Sequence, residues 1–276
     1  HKNNKLLLVD EAHGPHFRFH RDFPISAVEA DSDMIVQSVH KILSAISQGS
    51  VLHINSDRID FNRVKKVVSM LQTTSPNYLT LSSIDLARRQ AVLHGEKLLG
   101  EIIDAAEYGR KKINRLKNFF CFTREDIRSR GYDLDVTKLT INVTKTGLSG
   151  LEIADLLNKE YNIQIDCADL FNLIAIMGIG STRADVQKLV NALEDIDIKY
   201  HGSEKNWNLN LPSLTTEMVM TPRDVFFQKD SKRVPLNKAT GHISAQTLTP
   251  YPPGIPILIP GERITKEICD YLFELS

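Results

Sequence analysis

Two residues in this chain have the types and surroundings for covalent chemistry. Asp10 ends the apolar run Leu6–Val9 within LLLVDEAHG (Leu6–Gly14), and Lys41 ends Ser38-Val-His-Lys within VQSVHKILSAISQG (Val36–Gly49). A lysine beside apolar strand material is costly unless it is neutral or paired. Loss of solvation lowers the pKa of its amine, which favours attack on an aldehyde, and an imine removes the charge altogether. An acid at the carboxyl end of a strand sits where α/β sheets bind ligands. Together the two fit a pyridoxal 5'-phosphate (PLP) site. Lys41 would form the imine, and Asp10 would keep the ring nitrogen protonated so that the ring accepts electrons. Taken singly, Lys41 also fits a surface lysine at a strand end, and Asp10 a loop cap.

Their neighbours extend the pattern. His13, His16 and His20 have spacings that invite a metal reading, but Gly14-Pro15 spoils a shared helical face and no thiol is near. His13 reads better as a donor to a ligand oxygen, and His16 and His20 as loop or surface histidines. Ser38 and His40 flank the lysine. In an extended segment they would share a face, with Lys41 on the other, and hydroxyl and imidazole both suit a phosphate. Gly178-Ile-Gly180-Ser-Thr-Arg183 lacks the third glycine and the lysine of a phosphate loop, so it reads as a capped strand-to-helix turn.

The positioning elements follow from periodicity. Leu6–Val9 predicts a buried strand, with short strands at Met34–Ser38 and Ser50–Ile54 on either side of Lys41. Asp60–Leu71 has helical spacing, with Phe61, Val64, Val67, Val68 and Leu71 on one face. From Leu79 to about Phe120 the chain reads as two helices or one long bent one. Gly131 and a charge cluster mark a boundary. Beyond it Thr137–Thr144 alternates as a half-buried strand carrying Leu139, Ile141 and Val143. Ser149 and Glu152 form a capping box before a helix with Leu151, Ala154, Leu157 and Tyr161 on one side. Strands near Ile163–Asp166 and Leu170–Met177 and a helix to about Leu193 complete a β-α-β-β-α segment. His201–Leu211 reads as a linker, Thr216–Phe227 as a short helix broken by Pro222, Tyr251–Pro256 as rigid turn material, and Ile264–Leu275 as a terminal helix.

Bulk properties exclude several classes. Lys plus Arg and Asp plus Glu both number 34, so nucleic acid binding has no whole-chain electrostatic support. No apolar run approaches the ~20 residues of a membrane span. Cys121, Cys167 and Cys269 are scattered and odd in number, which gives neither a metal spacing nor a disulfide framework and points to a reducing cytoplasm. Asp10 follows only a short polar stub and one apolar run, so the chain reads as the later part of a longer protein.

DEAHGPHFRFH, VQSVHKILSAISQGSVLHI, SPNYLTLSSIDLARR and the tail MTPRDVFF…VPLNKATGHISAQTLTPYPPGIPILIPGE resemble, in that order, the Orn/Lys/Arg decarboxylase family. The resemblance implies an α/β protein: the later part of a PLP fold type I (aspartate aminotransferase-like) major domain followed by a small α+β C-terminal domain. Residues 1–130 would be the cofactor-binding portion, 131–200 the small domain, and 201–276 an extension whose PPGIP segment packs on it. Lys41 would be the Schiff-base lysine, Asp10 the partner of the ring nitrogen, and His13 a neighbour of the phenolic oxygen. Ala12 would pack beneath the ring, Ser38 and His40 would bind the phosphate, and Glu262 would lie near the substrate or a dimer interface. The implied reaction is decarboxylation of arginine, lysine or ornithine in a cytoplasmic homodimer, with no metal, nucleic acid or membrane partner. The family's earlier half, absent before Leu6, would supply a helix N-terminus for the phosphate and a group stacked on the ring. Val39 and Ile42 depart from the family's Ser-Thr-His-Lys-Thr. That departure keeps open a PLP-fold protein without catalysis, acting as a regulator or partner, beside another fold type I transferase reaction.

Overall fold

The computed structural model describes residues 4–200, 216–251 and 254–275, and the chain divides into two compact units, His1–Glu204 and Lys205–Ser276. The first unit opens on a three-stranded sheet. Strands β1 (Leu8–Asp10) and β2 (Met34–Gln37) are parallel, and β3 (Val51–Ile54) pairs antiparallel with β2. Between β2 and β3 the chain makes one helical turn, α1 (Val39–Ile42). Ser38, His40 and Lys41 therefore do not alternate as in a strand. The apolar content of the segment suggested extension, but Val39 and Ile42 bury together only when it coils.

Register puts Leu8, Asp10, Val36 and Leu52 on one face, and Val9, Ile35 and His53 on the other. Ile35 is fully buried, whereas Leu8 is 57% exposed, Val36 37% and Leu52 44%. The expected buried strand thus has an open face. A continuous apolar run signals cover on both sides, and the described residues cover one. Helix α2 (Phe61–Leu71), capped by Asp60, behaves alike: its apolar face forms as expected, yet none of its residues is buried.

Helix α3 (Tyr78–Ile113) is one helix of 36 residues, capped by Asn77. Ala87 and Ala91 near its start pack on Val39 and Leu43 of the α1 segment. Leu99, Ile102 and Ile113 in its later half enter the main core. Along α3 the tightest approach is at Gly109, where an added Cβ would stand 2.5 Å from Val186 Cγ1.

The second sheet has the order β4-β5-β7-β6, with β4 (Phe120–Cys121), β5 (Lys138–Asn142), β6 (Cys167–Ala168) and β7 (Asn172–Ile176), all neighbours antiparallel. A short helix α4 (Arg124–Arg128) follows β4. Leu139, Ile141 and Val143 face the core as their alternation predicts. Helices α5 (Gly150–Tyr161) and α6 (Arg183–Lys199) both begin with capping boxes, Ser149/Glu152 and Thr182/Asp185. Of the expected face of α5, Leu157 is buried and Ala154 and Tyr161 pack against the core, while Leu151 is exposed and Ile153 is buried in the same stripe.

In the second unit, α7 (Pro222–Phe226) starts at its proline instead of being broken by it, because the first helical position needs no N–H. Isolated bridges Met218–Glu262, Ile243–Arg263 and Leu248–Leu258 lead to α8 (Lys266–Glu274). Gly261 has φ +98°, and a Cβ there would meet the Met220 carbonyl at 2.0 Å, so a side chain is excluded. His201–Leu211, read as a linker, lies outside the described residues, as do Pro252 and Pro253. No helix among the described residues is long and apolar enough to cross a membrane.

Candidate functional site

The parallel pairing of β1 and β2 brings both carboxyl ends to one edge of the sheet, with Asp10 closing β1 and Ser38 and α1 following β2. Backbone bonds stitch the outgoing loops together. Glu11 N–H donates to the Val36 carbonyl (2.9 Å) and Ser38 N–H to the Ala12 carbonyl (3.2 Å). The Asp10 carboxylate accepts from Ala12 N–H at 3.0 Å, which fixes one oxygen and leaves the side chain exposed. Glu11 ties the loop down further, accepting from Ala27 N–H at 2.7 Å and from the Gln37 amide at 2.5 Å.

On this frame Lys41 Nζ stands 3.0 Å from His13 Nε2, and both side chains are exposed. Partial burial, then the nearby Lys41 and Lys138 cations, hold the His13 imidazole below its ordinary value. A neutral ring there can accept from the Lys41 ammonium, or donate to its free amine. Ser38 caps α1 without using its hydroxyl on the cap. His40 Nδ1 lies 2.8 Å from the Gly49 carbonyl, so Nδ1 must carry the proton. Its other nitrogen can then donate to a phosphate only when the ring is doubly protonated. Glu262 belongs to the second unit, where it accepts from Ile259 N–H at 2.7 Å and from the Thr216 hydroxyl.

A primary amine beside an imidazole, a carboxylate on the adjoining strand and an uncommitted hydroxyl make a donor set that fits PLP.

His16 lies in a loop, as expected, but not at the surface. It is 0% exposed, with Nε2 3.3 Å from Asp135 Oδ2. Its ring meets Phe17 and Phe23 edge-on at 4.8 and 4.4 Å. Asp135 also accepts from Lys138 Nζ at 2.8 Å and from the Thr137 hydroxyl at 2.6 Å. Spacing alone gave no sign of Asp135 or Lys138. The aromatic density of PHFRFHRDF was the one available hint that His16 is enclosed.

Burial pushes the His16 imidazole down, and the His16 and Lys138 partners hold Asp135 well below the usual carboxylate range despite its burial. The sign of the pH effect follows. An unfolded histidine binds its proton near 6.5, the folded one later, so stability is complete above that value and declines as pH falls below it. The stability that depressed carboxylates contribute is lost only below roughly pH 4. Urea midpoints are expected to fall between pH 7 and pH 5, and the fall should be shallower in His16→Phe. Equal slopes in the two proteins would disprove the assignment.

The neighbours in fold space are fold type I enzymes. A lysine decarboxylase of Francisella novicida superposes with a TM-score of 0.77 at 24% identity, over 97% of this chain and 49% of that one. Lysine decarboxylase A of Pseudomonas aeruginosa gives 0.75 at 21%, over 98% and 49%. A serine palmitoyltransferase of Sphingomonas wittichii gives 0.56 at 16%, over 72% and 49%. The fold is thus the later part of a fold type I major domain with a small α+β domain after it. Residues 1–131 match the Orn/Lys/Arg decarboxylase major domain and residues 208–276 the C-terminal domain of the same family, and the chain belongs to that family. It is 36% identical over 282 residues to an arginine decarboxylase of Bacillus subtilis and 37% over 278 to one of Halalkalibacterium halodurans. In both cases the alignment takes in 99% of this chain but 56% of the relative, so the chain spans little more than half their length.

Proposed function

We propose that this chain is part of a PLP-dependent decarboxylase of a basic amino acid, acting through Lys41. The contact between Lys41 Nζ and His13 Nε2, at the sheet edge that also carries Asp10, is the observation that carries the reading. Lys41 would hold the cofactor covalently, Asp10 would face its ring nitrogen, and Ser38 and His40 its phosphate, with Ala12 beneath the ring. PLP supplies the electron sink for the pair left behind when carbon dioxide departs. The chain's part is to keep that sink charged and the proton traffic ordered. Asp10 holds a proton on the ring nitrogen electrostatically. His13, kept neutral, takes a proton from the Lys41 ammonium so that the amine can react, and can return it.

Residues 1–130 would then be the later portion of the cofactor domain, 131–200 a small domain and 201–276 an extension. The two family matches, ending at 131 and beginning at 208, support that division. The open face carrying Leu8, Val36 and Leu52 supports a missing N-terminal part of the same protein as its cover. A cytoplasmic homodimer, or a higher homo-oligomer, belongs to the same proposal. Arginine is the first substrate to test, since the relatives named arginine decarboxylase reach 36–37% identity against 25% and 28% for those named lysine decarboxylase. The assay offers arginine, lysine and ornithine to the full-length protein and reads carbon dioxide against keto acid. Carbon dioxide with arginine is expected. Keto acid would point to amino transfer, and neither product to a protein without catalysis.

A further inference from the structure

We propose that His16 and Asp135 form a buried positioning pair, which pins the loop leaving β1 to the turn entering β5 and so sets where His13 stands against Lys41. The inference rests on the PLP reading for its purpose, but its geometry is independent of that reading. Only Gly14 and Pro15 separate His16 from His13, and both are buried, so little slack lies between the two imidazoles. At the far end the carboxylate is held before His16 arrives. Thr137 donates to Asp135 Oδ1 from its backbone N–H (3.1 Å) and its hydroxyl (2.6 Å), and Lys138 donates to Oδ2 at 2.8 Å. His16 Nε2 approaches that same Oδ2 at 3.3 Å, a close polar contact off the line of a full hydrogen bond, and neither ring nitrogen has a hydrogen-bond partner among the described residues.

A polar pair is a poor choice for mere filling. Phe17 and Phe23 flank the ring, and replacing buried polar pairs with apolar side chains of similar size is often neutral or stabilising. What the pair adds over an apolar filler is selectivity: a buried imidazole beside one carboxylate, at one register, 3.3 Å away. The loop it directs carries Asp10 and His13 at one end. The charged groups that face His16 are Asp135 and Lys138 from the β5 side and Glu11 from its own loop. Asp135 and Lys138 also act on His13, so the fixed cluster is near enough for its placement to matter there.

The test is the titration of His13 in the cofactor-free full-length protein, followed by imidazole proton NMR and assigned with His13→Gln. His16→Phe keeps a ring but removes the donor, and His16→Asn keeps a polar group but draws it away from Asp135. Both are expected to release the loop, raise the solvation of His13 and shift its titration upward. His16→Gln, whose amide reaches the position of Nε2, is expected to restore the parent value. The charged groups that face His13, Lys41, Lys138, Asp166 and Asp135, are retained in all three variants, so the shift reads geometry. A lower melting temperature in His16→Phe with His13 titrating as in the parent would overturn the proposal. Should His16→Phe fail to fold, His16→Asn and His16→Gln decide it in the same way. Added PLP separates the two ideas. If no variant and no parent gives an imine absorbance, the cofactor reading fails, while the His13 titration still judges the positioning pair.

Discussion

Lys41→Ala is expected to abolish the visible absorbance that PLP acquires on joining a primary amine, and to cut decarboxylation on the order of 10⁴-fold or more, the scale seen when one member of a covalent catalytic unit is removed. The effect should be this large because no other described side chain repeats the arrangement of an exposed amine at 3.0 Å from an imidazole on this sheet edge. Removing His13 instead leaves the amine in place. His13→Gln should retain the absorbance and lose rate through general acid–base work, typically 10²–10⁴-fold. Borohydride reduction followed by peptide mass mapping places the adduct directly. An adduct on a different lysine, or an absorbance that survives Lys41→Ala, would refute the assignment.

The largest stability effect is expected at Arg110, which is 2% exposed near the end of α3. Its guanidinium donates to the carbonyls of Phe122 (2.7 Å), Val136 (3.0 Å) and Lys138 (3.2 Å), and pairs with Glu107 at 3.0 Å. Arg110→Met keeps the length of the side chain but strands three carbonyls, while the Glu107 carboxylate, 37% exposed, turns to water. A buried acceptor left without its donor costs about 1–3 kcal/mol, so a total of about 3–5 kcal/mol is expected. An exposed pair makes the contrast: Arg88 and Asp85, both more than half exposed, should cost no more than about 0.5 kcal/mol when Arg88 is changed to Ala. Urea unfolding measures both. Similar midpoint losses for the two would show that Arg110 is no more than a surface charge. The substitution also reaches the site, because Val136 and Lys138 flank the turn in which Asp135 meets His16.

How much was readable beforehand follows from the range of the forces involved. Caps are local, and Ser149/Glu152 was legible three residues at a time. The alternation in Thr137–Thr144 needed only a period of two, and Leu139, Ile141 and Val143 are buried. Lys41 and Asp10 were singled out by residue type and by a resemblance spread over four motifs, and the structure adds the contact between Lys41 and His13. What escaped notice depends on distant partners. Whether Leu8 is covered is decided by elements on the far side of a sheet, and a run of apolar letters cannot say which are present. The coil at Val39–Ile42 depends on burial against Ala87 and Ala91, far along the chain. His16 looked polar and exposed because Asp135, over a hundred positions away, is invisible to any local window. Pro222 was misjudged for a smaller reason, since a proline that ends one helix serves as well to begin the next.

Helix α3 has a mechanical corollary. At 1.5 Å per residue its 36 residues form a rod about 54 Å long. One end is bonded by packing to the segment bearing Lys41, and the other to β5 and α6. A jaw-like opening about residue 130 would have to snap or drag that rod, so movement beside Lys41 should be confined to the small loops around Asp10 and Gly49.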